Sequence, residues 1–75
     1  MIHLRTFARY RERLGFDHLD LELPEPATLA GLLADPRLAD LPQEALLAVN
    51  ESFAERDQVL RDGDQVALMP PVSGG

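Results

Sequence analysis

No cysteine occurs among the 75 residues, so the chain must hold together on one apolar core with no covalent staple. A chain of this length buries only about 60% of the surface its unfolded form exposes, too little to divide between two cores. One domain is therefore expected. The missing thiols also exclude a disulfide framework, a Cys-based zinc site, iron–sulfur ligation and a thiol nucleophile.

The longest apolar runs, such as Ala45-Leu46-Leu47-Ala48-Val49, fall far short of the roughly 20 residues that span a bilayer. No membrane partner is expected. The opening Met1-Ile2-His3-Leu4-Arg5 lacks a long apolar run behind a basic segment, so no secretion signal is read and the expected location is cytoplasmic. A net charge of −6 argues against nucleic acid, whose phosphates need a basic footprint. The charge is uneven. Residues 1–13 carry Arg5, Arg9, Arg11 and Arg13 against Glu12, while residues 14–75 are strongly acidic. Such a surface either steers the chain to a basic partner or simply keeps it soluble. All seven bases are arginine, so no side-chain amine is available for isopeptide chains.

Ile2, Leu4 and Thr6 alternate with His3, Arg5 and Phe7, the two-residue period of a strand with unequal faces. Arg9 to Leu14 leads into Gly15, where a short helical turn can end at positive φ. Leu19, Leu21 and Leu23 alternate as a second strand closed by Pro24 and Pro26, and the two strands form a long-loop hairpin. Thr28 can cap a helix whose Leu29, Leu32 and Leu33 form one stripe. Gly31 and Pro36 weaken and limit that helix, so packing on a sheet must stabilise it. Residues 35–45, with Pro36 and Pro42, read as irregular or short helical turns. Leu46-Leu47-Ala48-Val49 reads as a more central strand ending at Asn50, Phe53 as a short edge element, and Val66-Ala67-Leu68-Met69 as the last strand after an Asp62-Gly63 turn. This order fits an α+β fold, a mixed sheet with one main helix packed across it, and the β-grasp is the small fold of that kind. The domain is read as residues 1–69, with residues 70–75 as an extended, flexible C-terminal tail.

That tail is Pro70-Pro71-Val72-Ser73-Gly74-Gly75. Two prolines hold its base extended, and glycines pass where a Cβ cannot. The terminal carboxylate is already ionised at neutral pH and is a poor electrophile. A partner must convert it to an acyl adenylate before sulfur or another nucleophile can attack. Elsewhere the signals are weaker. His3 and His18 read singly as structural or exposed residues, with no triad around them. Asp62 and Asp64 bracket Gly63 but fall far short of a calcium ligand set; Asp62 is expected to bond backbone N–H groups of the turn. No metal ligand set is read. Phe53 and Met69 are candidate apolar anchors for a partner, at least one of them exposed, and Arg11 is a candidate for pairing with a partner carboxylate.

Val49-Asn50 and the run from Leu60 through Arg61-Asp62-Gly63-Asp64-Gln65 to Pro70-Pro71-Val72-Ser73-Gly74-Gly75 resemble the small subunit of molybdopterin synthase almost position for position. Phe7-Ala8-Arg9, Arg11-Glu12, Gly15, Thr28-Leu29 and Leu32-Leu33 also follow that family's spacing, and the likeness is weakest over residues 35–45. The resemblance implies a ubiquitin-like β-grasp and a non-catalytic, sulfur-donating subunit of a two-component sulfurtransferase. It implies that an E1-like adenylyltransferase activates Gly75 with ATP and Mg²⁺, which this chain does not itself bind. A sulfurtransferase or cysteine desulfurase then supplies sulfur to give a Gly75 thiocarboxylate. Gly74 allows passage into the large subunit, where sulfur goes to cyclic pyranopterin monophosphate for molybdenum cofactor. Met69, Pro70, Pro71, Val72 and Ser73, with Arg11 and Phe53, would meet the partner. The implied assembly is a heterotetramer of two small and two large subunits. The absence of lysine departs from many relatives, so any lysine-based contact must be replaced or lost. Sulfur carriers for thiazole or other sulfur-containing metabolites, and ubiquitin-like protein modifiers, are the alternatives. The carriers generally lack the Pro-Pro-Val-Ser form of the tail.

Overall fold

β1, Ile2–Thr6, turns Ile2, Leu4 and Thr6 inward, as its alternation dictates. The chain then reverses through α1, Arg9–Leu14, which ends at Gly15 in the left-handed conformation with φ 86. β2, His18–Leu21, returns antiparallel to β1, with Ile2 opposite Leu21, His3 opposite Asp20, Leu4 opposite Leu19 and Arg5 opposite His18. It stops at Leu21, two residues short of the expected Leu23, because β1 offers no ladder partner beyond Ile2. The computed structural model describes residues 1–24 and 26–71.

Thr28 caps α2, Leu29–Leu33, its Oγ1 accepting from the Gly31 N–H at 3.2 Å. β3, Ala27–Thr28, sits just before this cap. At five residues α2 is too short to persist alone. Fully buried Leu29 and Leu32 hold it against the sheet. The chain thus has two short α-helices, of which α2 supplies the core with Leu29 and Leu32. The proline-rich stretch contains a 3₁₀ turn, Pro36–Leu38, started by Asp35, whose carboxylate accepts from the Arg37 N–H at 2.8 Å. The Arg37 guanidinium grips the same carboxylate twice at 3.0 Å and holds it below the usual carboxylate range. This turn delivers Leu38 to the core.

β4, Leu46–Val49, and β5, Ser52–Phe53, form a hairpin whose two loop residues, Asn50 and Glu51, have φ 51 and 72. That is the primed turn suited to strand twist, and it prefers glycine second. Glu51 is exposed, so Glu51→Gly is expected to raise stability by about 1 kcal/mol. A higher urea midpoint at unchanged slope is the expected readout, and a lower midpoint would refute the strain argument.

β6, Val59–Leu60, pairs antiparallel with β3 in a separate ribbon. β7, Gln65–Met69, runs parallel to β1 and antiparallel to β4. The sheet order is β2-β1-β7-β4-β5, the mixed sheet of a ubiquitin-like β-grasp. Ile2, Leu4, Leu47, Val66 and Leu68 pack beneath Leu29, Leu32, Leu38 and Leu60 in one cluster. The core therefore lies wholly on the helical side of the sheet. Residues of β7 that point the other way, Ala67 and Met69, face outward.

Candidate functional site

The tail leaves from the best-held strand of the fold. β7 is paired on both sides, with Leu68 between Thr6 and Leu47 and Met69 opposite Leu46. The Phe7 N–H donates to the Leu68 carbonyl at 3.2 Å. Pro70 and Pro71 follow, half-buried, and neither can donate to a ladder. Val72, Ser73, Gly74 and Gly75, predicted to enter the partner, lie outside the described residues.

The start of β7 is fixed as firmly. Asn50 accepts from the Gln65 N–H at 3.0 Å and donates its own N–H to the Gln65 carbonyl at 2.8 Å. Its side-chain amide donates to Asp64 Oδ1 at 3.0 Å, and Asp64 Oδ2 accepts from the Arg61 N–H at 2.8 Å. Asp62 was expected in that last role. Gly63, at φ 90, closes a turn in which Asp64 N–H returns to the Arg61 carbonyl at 3.0 Å. The fourth residue of the turn then faces the first, while Asp62 points out to the Met1 amino group.

Cross-strand neighbours share a face, so Phe53, Ala48, Ala67, Arg5 and His18 lie in one row across the outer side of the sheet. Leu46 and Met69 lie beside that row. Phe53 is 76% exposed and Phe7 39%, and Met69 is half-buried. A largely apolar groove of about 410 Å³ runs along the β4–β5 edge, lined in part by Leu46, Phe53, Ala54 and Arg56. The predicted anchors Phe53 and Met69 thus share the outer face of the sheet, Phe53 in the groove and largely exposed, Met69 half-buried opposite the groove residue Leu46. Arg11 is exposed on α1 and forms no ion pair among the described residues. It is not among the residues that line the groove.

The other end of the same face is polar. His3 Nδ1 and His18 Nε2 each lie 2.8 Å from Asp20 Oδ1. These hydrogen bonds, His3 first and His18 second, hold the Asp20 carboxyl below its ordinary range. Read one at a time, the histidines gave no sign of this. The available signal was a His-x-Asp on an alternating strand, with a third polar residue at the facing hairpin position.

With this geometry in view, the sequence pattern described as the ThiS family matches residues 4–75. The chain belongs to the ThiS family. It is 36% identical over 81 residues to the molybdopterin synthase sulfur carrier subunit of Escherichia coli (strain K12), covering 100% of both chains. It is 34% identical over 77 residues to the protein of that name from Dictyostelium discoideum, covering 92% of this chain and 90% of that one. Among solved structures, a putative molybdopterin converting factor, subunit 1, from Pyrococcus furiosus superposes with a TM-score of 0.85 at 30% identity, covering 95% of this chain and 97% of that one. These relatives agree with the resemblance carried by the Asp-Gly turn, the last strand and the Pro-Pro-Val-Ser-Gly-Gly end. Among the described residues of this ThiS-family chain, no helix is long and apolar enough to cross a membrane.

Proposed function

We propose that this protein carries sulfur as a thiocarboxylate on Gly75 and donates it, within a molybdopterin synthase, to cyclic pyranopterin monophosphate. The observation that carries this reading is the junction at Met69. A doubly paired strand ends in Pro70-Pro71 beside an exposed apolar groove, and the sequence beyond narrows to Gly74-Gly75. Relatives aligned over nearly their whole length are named sulfur carrier subunits of a synthase, which favours this acceptor over thiazole or a protein amine.

In the proposed sequence, an E1-like partner uses ATP and Mg²⁺ to join AMP to the Gly75 carboxylate and release pyrophosphate. A persulfide on a sulfurtransferase or cysteine desulfurase attacks the acyl carbon and AMP leaves, and a partner thiol then cleaves the acyl disulfide, forming a disulfide and releasing the thiocarboxylate. In the large subunit the thiocarboxylate sulfur bonds to a carbon of the substrate as an oxygen substituent leaves, and water then cleaves the acyl–sulfur bond, leaving sulfur on the substrate and restoring the Gly75 carboxylate. This chain contributes reach, a terminus free of side chains, and the docking face. Its partner contributes the catalytic side chains.

The direct test is intact mass after incubation with ATP, Mg²⁺, the E1-like enzyme and a sulfur donor. A gain equal to one oxygen replaced by sulfur, located at Gly75, is expected. An unchanged mass, with the enzyme active on another carrier, would overturn the proposal. The docking face has its own test. Phe53→Asp should weaken binding to the large subunit by about 2 kcal/mol or more, as loss of an aromatic anchor does. Circular dichroism should be unchanged, because the side chain is 76% exposed. Unaltered affinity in a binding titration would move the interface elsewhere.

A further inference from the structure

We infer that His3, His18 and Asp20 form a surface site for a divalent transition metal of the zinc class, separate from the sulfur-bearing terminus. The two imidazole nitrogens and a carboxylate oxygen all lie within 4.8 Å of one another. Both nitrogens point at the same Asp20 oxygen, each from 2.8 Å. That convergence comes from strand register. Asp20 faces His3 across the β1–β2 ladder, and His18 lies on the same face of β2 two residues away. The ladder from Ile2↔Leu21 to Arg5↔His18 fixes the backbone of all three, so a metal need only adjust side chains.

The required adjustment is small. Bonds of about 2.0–2.1 Å at a tetrahedral centre place ligand atoms roughly 3.3 Å apart, so each nitrogen–oxygen separation must open by about half an ångström. Side chains that are 41%, 56% and 45% exposed for His3, His18 and Asp20 have room to do so. A neutral imidazole can present a lone pair to the metal by carrying its proton on the other ring nitrogen.

The donor set selects the ion. Two imidazoles with one carboxylate and positions open to water suit Zn²⁺ and its first-row neighbours. Calcium and magnesium, which take six or more oxygens, find too few here. His3, His18, Arg5 and Gln65 line the depression around the ligands. The Arg5 guanidinium lies over the Phe7 ring, 5.5 Å from its centroid, which engages that cation with the ring. The chain's net charge of −6 favours cation approach.

His3 pairs with Gln65 at the start of β7, and Met69 lies four residues further on, roughly 13 Å at strand spacing. A metal at His3 would therefore leave the root of the tail untouched, and its binding is independent of the sulfur-carrier reading.

Calorimetric titration of the full chain with Zn²⁺ should give one ion per chain with a dissociation constant in the micromolar range. His18→Gln and His3→Gln should each weaken binding at least about tenfold, the loss that even a supporting residue of a metal site produces. Both should leave circular dichroism unchanged. Co²⁺ added to the unmodified chain should develop visible ligand-field absorption that either substitution removes. Absence of saturable Zn²⁺ binding, or binding equally strong in both variants, would overturn the assignment. One ion per two chains would also overturn it, by placing the site between copies.

Discussion

A chain extended by a single residue after Gly75 is expected to fold normally and to form no thiocarboxylate. Under the proposed function the reacting atom is the last carbonyl carbon, so an added residue moves the reactive carboxylate onto a carbon that the activating and sulfur-accepting sites do not reach in register. Six residues from Pro70 to Gly75 span at most about 20 Å when extended, and Pro70-Pro71 keep the base of that span stiff. Slack that could absorb an extra residue is therefore small. An added side chain would also carry a Cβ into a passage matched to glycine. The fold should not register the change, because β7 ends at Met69 and its ladder partners are Thr6, Leu46 and Leu47. The mass gain from sulfur and the synthase product should both fall below detection while the far-ultraviolet circular dichroism spectrum stays the same. Product formed by the extended chain, without trimming, would show that the terminus is not the sulfur carrier.

Much of this arrangement is legible in the sequence because it depends on local pattern. The alternation around Ile2, Leu4 and Thr6 specifies which side of β1 is buried, and Thr28 followed by a leucine stripe specifies where α2 begins. The short edge element at Phe53 is likewise legible in the sequence, while its exposure is seen only in the structure. What escaped depends on partners distant in sequence. The metal-binding cluster exists only in the register that sets Asp20 opposite His3, and the run Phe16-Asp17-His18 does not reveal it. Likewise Asp64 displaces Asp62 from the turn because Asn50, fourteen residues earlier, claims its second oxygen. The short helical turn before Gly15 is legible, but the burial of one of its residues is not. Tyr10, fully buried on α1, lies in a segment otherwise dominated by arginines.

The largest loss of stability from a single substitution is expected at Leu68. It is 0% exposed, sits in the middle strand of the sheet, and is flanked in register by Thr6 on β1 and Leu47 on β4. Leu68→Ala removes most of a side chain from the point where the two halves of the sheet meet, and ladder bonds on both sides limit how far the backbone can close the gap. Such changes cost about 2–5 kcal/mol. A domain of this size holds only about 4–11 kcal/mol in total at 0.05–0.15 kcal/mol per residue, so the variant should lose a large share of its stability and melt roughly 10 °C or more lower. Met69→Ala, one residue on, provides the contrast. Its side chain is half-buried on the opposite face and its loss should cost about 1 kcal/mol or less, while weakening partner binding at that outer face. Urea denaturation of the two variants separates these roles. A small loss at Leu68 together with a large one at Met69 would mean that the sheet's outer face, and not the helical side, holds the tail in place.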